Sequence, residues 1–278
     1  MSNIISSDFY RVRRGAALRN TFIGVALIIL FMIVMTFVSQ MDGFTYVESG
    51  TLSVTEASEM SQDLGEVQQA TSSITGGAAL ASDLLGQALI IFFFLPIALA
   101  VFCADFSAST HHNTLSYESS RMKVYTAKLL LSIGLCLMLV LGMVVFSWLS
   151  GGIAFGLGGF SWAYIQELLI TILLQLPIYL SVIAVCHCLI AITRKSSITI
   201  AVFIVGLLAL MIFLQYIAQT FPDYSWLLLL DPQSGAKLMA NREMASTGDI
   251  LFTAGYHLAV AVGATVLGSL FFRKVDMP

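Results

Sequence analysis

The sequence predicts an all-α membrane protein with six transmembrane helices. Three observations predict it. Of the 278 residues, 58% are hydrophobic and 10% are charged, whereas a soluble domain carries roughly a quarter charged residues. Lipid is therefore the solvent for much of the chain. Six apolar stretches reach the roughly 20 residues that a helix needs to cross a bilayer. None of them shows the strict polar–apolar alternation of a membrane β-strand. They run Ala17–Val38, Leu84–Phe102, Leu129–Trp148, Ala163–Leu189, Ile198–Ile217 and Ile250–Phe272.

Charge placement predicts the orientation. No Lys or Arg occurs from Asn20 to Ser120, and the first loop carries Asp42, Glu48, Glu56, Glu59, Asp63 and Glu66. The bases cluster at Arg11, Arg13, Arg14 and Arg19, at Arg121, Lys123 and Lys128, at Arg194 and Lys195, and at Arg273 and Lys274. With six spans these clusters share one side, leaving only Lys237 and Arg242 on the other. The positive-inside rule makes that side cytoplasmic, and both termini with it. The expected location is the bacterial cell membrane, in multi-pass form.

Residues 1–16 precede the first span. Ile4, Ile5, Phe9 and Val12 alternate there with Asp8, Arg11, Arg13 and Arg14. Two readings stand: a helix lying in the cytoplasmic interface with bases at the headgroups, or an ordinary positive flank. The first span reads as a retained helix, because no small-x-small cleavage site follows it in "FVSQMDGF". Neither end carries a lipidation motif.

An outer loop is expected over residues 40–83. "SVTE" at 53–56 suits a capping box for a short external helix, and a polar loop suits the composition equally. Pro96 and Pro177 are expected to kink the second and fourth spans. "SGGIAFGLGGFS" at 150–161 reads as a glycine-rich outer turn; it has no lysine and follows no strand, so it is not a phosphate loop. Over residues 220–249, "WLLLLDP" is apolar but too short to span. It ends in Asp-Pro, which resists helix continuation, so an outer dip buried against neighbouring spans is expected. Residues 17–272 form the membrane domain, and 273–278 a cytoplasmic tail.

Chemistry is sparse. "CHC" at 186–188 is a poor metal motif, since successive helical residues point about 100° apart and cannot converge on one ion. Cys103, Cys136, Cys186 and Cys188 all fall in or beside spans, so no disulfide framework is indicated. No GxSxG, HExxH or GxxxxGK[ST] motif occurs. The chain is therefore not expected to be an enzyme or to hold a metal or a cofactor of its own, and no nucleic-acid partner is expected. In the fourth span, Glu167, Thr171, Gln175 and Tyr179 recur every four residues and form one slowly drifting stripe. Intramembrane polar residues mark substrate pathways; they also serve as interhelical hydrogen bonds. Glu167 suits the outer interface beside Trp162 and Tyr164, and Gln175, the deepest, is the best candidate for lining a path.

Between the second and third spans lies "DFSASTHHNTLSYESSRMKVYTAKLL". It resembles a segment of bacterial ABC-transporter permeases of the type-2, or exporter, class. Asp105, Thr110, Asn113, Leu115, Ser116, Ser120, Arg121, Lys123, Tyr125, Lys128, Leu129 and Leu130 match that pattern in order. His112 and Glu118 depart from it, where the family often has a base and a glycine. The six-span layout, the basic N-terminus and the outer dip agree with the family over the whole chain, while the specific motif covers residues 105–130. The resemblance implies that residues 104–128 form a short cytoplasmic coupling segment docking on a separate ABC ATPase, which binds ATP and magnesium. His111, His112, Asn113, Leu115 and Tyr117 would make that contact. Arg121, Lys123 and Lys128 would hold the chain's return point at the anionic inner leaflet. A second permease chain, identical or homologous, would complete the transporter, whose substrate would be a peptide, an antimicrobial agent or another amphiphile. The absence of Gly and Pro from Ala104 to Leu130 suits a stiff transmitting element. Two other classes stay open: an ion-gradient-driven secondary transporter, which would want several buried carboxylates, and a non-transporting sensor or assembly subunit.

Overall fold

The computed structural model describes residues 2–40, 77–87, 89–107, 121–156, 162–242 and 245–273. The capping box at 53–56 with the external helix it would start, and the five expected ATPase contacts, His111, His112, Asn113, Leu115 and Tyr117, lie outside the described residues. The described residues are helical throughout apart from short connections. Nine α-helices occur among them: α1 Ser2–Arg14, α2 Ala16–Gln40, α3 Gly77–Gln87, α4 Phe94–Ser107, α5 Arg121–Phe155, α6 Trp162–Thr193, α7 Ser196–Thr220, α8 Pro232–Ala240 and α9 Thr247–Arg273. Two 3₁₀ segments, Leu89–Phe93 and Pro222–Leu230, precede α4 and α8.

Four helices, α5, α6, α7 and α9, are each long and apolar enough to cross a membrane; the number rises to six if two bent pairs each count as one span. The first pair is α1 with α2, bent by 59°. The second is α3 with α4, bent by 74°, so the second span, expected to be kinked at Pro96, is broken into two helices. Pro96 supplies part of the reason. It has no N–H to donate to the carbonyl one turn earlier, and that turn is the 3₁₀ segment Leu89–Phe93. Pro177, by contrast, is carried inside α6 without interrupting it.

The bundle has a centre and a rim. Half of the most apolar window is buried in both α5 and α6, against 17% in α7 and α9. On α7, Ile200, Val202, Val205, Ile212 and Phe213 point outward, as a lipid-facing helix requires. The most extensive helix–helix contact joins α6 and α9. It is made close by small residues, Ala184 and Cys188 on α6 and Ala261, Ala264 and Gly268 on α9. Lipid gives no hydrophobic drive to pair helices, so close backbone approach supplies the attraction. At Gly268 a Cβ would collide with Tyr125 Oη and lie 3.1 Å from the Cys188 Cα. Only glycine fits there.

The helix ends follow local chemistry. α5 continues through Gly151 and Gly152 to Phe155, beyond the point where the glycine-rich stretch was expected to turn. It stops at Gly156, whose φ of 87° is open to glycine at no steric cost. α6 and α7 are joined by Arg194 and Lys195 alone, with Arg194 at φ 55°. α8 starts on Asp231, whose carboxylate accepts from Ser234 N and Ser234 Oγ, both at 2.9 Å, with Pro232 in the first turn.

Candidate functional site

The polar stripe of α6 divides into three environments. Glu167 is exposed and pairs with Arg242, just beyond α8. Thr171 is buried. Gln175 is wholly buried, and its Nε2 donates to the carbonyls of Leu85 at 3.1 Å and Ala236 at 2.9 Å. Its Oε1 accepts from Tyr179 Oη, and the Tyr179 ring meets Phe94 edge-on at 5.3 Å. Leu85 belongs to the last turn of α3, where carbonyls lack an intrahelical partner. An unsatisfied carbonyl at membrane depth costs several kcal/mol. Gln175 therefore clasps two helices too short to span, α3 and α8, onto α6. Every donor of its amide is engaged.

Two turns further along α6, Ser181 Oγ and His257 Nδ1 of α9 share a hydrogen bond of 3.1 Å. Both residues are buried, and His257 Nε2 has no hydrogen-bond partner among the described residues. They form the polar corner of a cavity of about 300 Å³ between α6, α7 and α9, whose other walls include Val185, Phe203, Leu207, Leu230 and Val260. An apolar chamber with a few convergent polar groups is the usual form of a small-molecule site, and this volume falls at the low end of the roughly 300–1,000 Å³ range. Sequence reading missed this pair. His257 is a lone histidine in its span, and nothing in the chain's order announces Ser181 as its partner.

The other end of the bundle carries a denser arrangement. Lys128 of α5 is 2% exposed, and its ammonium donates to Asp8 Oδ2 of α1 at 3.0 Å and to the Val101 carbonyl of α4 at 3.2 Å. This corrects the expectation that Lys128 reaches the anionic leaflet: it is enclosed, and its counter-charge comes from the protein. Asp8 lies with Ile5 and Val12 on the inward face of α1, three and four residues from each, as helical periodicity allows. Beside the pair, rings from four helices meet. Phe102 of α4 is edge-on to Tyr125 of α5 at 5.7 Å, to His187 of α6 at 5.1 Å and to Phe272 of α9 at 5.4 Å. His187 Nε2 is 2.8 Å from Ser132 Oγ. Arg121 donates to the Arg273 carbonyl at 3.1 Å. This end thus ties together both helices that border residues 108–120.

Among the described residues no group of three His, Cys, Asp or Glu side chains could hold a metal ion. Cys186, His187 and Cys188 are separated by the helix, with His187 turned to Ser132 and Cys188 to the α9 contact.

Long apolar helices, small-residue contacts and buried polar clasps define a multi-pass helical membrane protein. Its sequence matches the family model described as "Protein of unknown function (DUF2705)" over residues 60–277, and the chain belongs to that family. No curated protein and no solved structure matches it.

Proposed function

We propose that the chain is the permease subunit of an ATP-driven exporter in the bacterial cytoplasmic membrane. Two permease chains would work with a separate ATPase, which holds ATP and magnesium, to move a peptide, an antimicrobial agent or another amphiphile outward. The observation that carries this reading is the resemblance of residues 105–130 to the coupling segment of type-2 ABC permeases. In this reading the base-rich end is cytoplasmic. The ring cluster at that end supports force transmission: a displacement of α4 and α5 passes through Phe102 and Tyr125 to α6 and α9, the walls of the cavity. The apolar cavity with its Ser181–His257 corner supports an amphiphilic cargo.

The test is co-purification of the ATPase, followed by substrate-stimulated ATP hydrolysis in proteoliposomes. Leu115→Ala with Tyr117→Ala is expected to weaken the complex or to leave it bound and unresponsive. Normal binding and normal stimulation would remove the coupling assignment. Uptake into the same vesicles, driven by an ion gradient without ATP, would favour a secondary transporter. For orientation, a cysteine at Ser246 is expected to react with an impermeant thiol reagent in intact cells and one at Ser119 to be protected.

A further inference from the structure

We propose that the cleft between α1, α2 and α5 is a binding site for one anionic phospholipid. The cleft has a volume of about 390 Å³ and is lined by Phe9, Val12, Leu18, Phe22, Leu135 and Met138, with Arg13 as its one charged group. Its apolar walls fit an acyl chain. The Arg13 guanidinium fits a phosphate, which Arg binds through paired N–H donors. No acidic side chain among the described residues pairs with Arg13.

Two features make this a built site rather than general lipid contact. The α1 wall is held in place by the buried Asp8–Lys128 pair, one turn from the lining residue Val12. The acid of α1 is engaged in that pair, and the exposed side of its last two turns carries Phe9, Tyr10, Arg13 and Arg14. There Phe9 and Tyr10 are exposed, and Arg14 lies 4.5 Å over the Tyr10 ring. A zwitterionic headgroup would bring its own cation against Arg13, so the charge arrangement selects an anionic one. The site concerns the membrane and not a transported substrate, and it stands whether or not an ATPase partner exists.

The experiment uses the full chain in proteoliposomes with a trace of phospholipid carrying a photoreactive acyl chain, bearing either a phosphatidylglycerol or a phosphatidylcholine headgroup. Capture on the peptides holding Phe22 and Leu135–Met138 is then read by mass spectrometry. Capture of the glycerol lipid is expected to exceed that of the choline lipid about fivefold, the scale of one base at an anionic surface. Arg13→Gln is expected to abolish the preference while Arg14→Gln keeps most of it. Leu135→Trp, which fills the cleft, is expected to reduce capture of both lipids. Equal capture of the two headgroups by the unmodified chain, or a preference that survives Arg13→Gln, overturns the proposal.

Discussion

The two ends of the bundle are held by different chemistry. At the end that carries Arg121 and Arg273, side chain meets side chain: one buried ion pair and four rings join five helices. At the opposite end, side chain meets backbone at depth, where the Gln175 amide holds carbonyls of two short helices, and the side-chain ties Ser82–Tyr164 and Glu167–Arg242 are exposed. The difference teaches where this fold is stiff. Ring packing and a buried pair fix helices relative to one another. Amide-to-carbonyl contacts fix short elements to one helix and leave an apolar cavity beside them.

The comparison can be broken most severely at Lys128. Lys128→Met removes the ammonium from a buried carboxylate and is expected to cost about 3–5 kcal/mol, read as a large fall in the thermal unfolding midpoint in detergent. Asp8→Leu combined with Lys128→Met is expected to recover most of that loss, because a matched apolar pair often replaces a buried ion pair without penalty. If the double variant is as unstable as Lys128→Met alone, mutual neutralisation is not what holds α1.

Next comes Gly268→Ala. Its new methyl meets the Tyr125 hydroxyl and the α6 backbone, and overpacking of that kind costs about 1–3 kcal/mol. Tyr125→Phe in the same chain is expected to return part of it, since the nearest clash is with the hydroxyl. At the other end, Gln175→Leu leaves the Leu85 carbonyl without its donor, at about 1–3 kcal/mol. Proteolysis near α3 and α8 is expected to rise before any near α1. An unchanged midpoint and digestion pattern would show that the short helices do not depend on the Gln175 amide.

Arg194→Gly changes the sign. A non-glycine residue in the left-handed region costs about 1–2 kcal/mol, so glycine is expected to stabilise the α6–α7 turn slightly, with a small upward shift in midpoint. Smallest of all is Arg242→Ala. The pair with Glu167 is exposed and is worth about 0–1 kcal/mol, so loss of stability beyond that would show a role for this end of the bundle that its geometry does not suggest.

The spans were legible because lipid demands unbroken apolar length, and five of the six expected stretches lie inside single helices. A kink in the second was legible from Pro96, but its size was not. Pro96 marks a defect, but the direction of the bend comes from α3 lying along α5 and α8, which no local pattern encodes. The α6 stripe was visible by its spacing, and its deepest member, Gln175, was expected to line a path; what the structure gives its amide is three hydrogen bonds. Two of those partners are main-chain carbonyls, which have no residue signature. Asp8 carried a usable signal that was read the other way: its spacing from Ile5 and Val12 places it on the apolar face, while its charge suggested water. Lys128 carried none, because its acid lies far off in sequence. His111, His112, Asn113, Leu115 and Tyr117 remain expectations from resemblance.

That separation has a consequence for synthesis. Asp8 and Lys128 are 120 residues apart. At a synthesis rate of about 5–20 residues per second, the lysine follows the aspartate from the ribosome by roughly 6–24 s. Throughout that interval the N-terminal helix holds a carboxylate with no ammonium to receive it, and a bare charge resists leaving water. The pair that fixes α1 against α5 therefore forms only after both helices have been made.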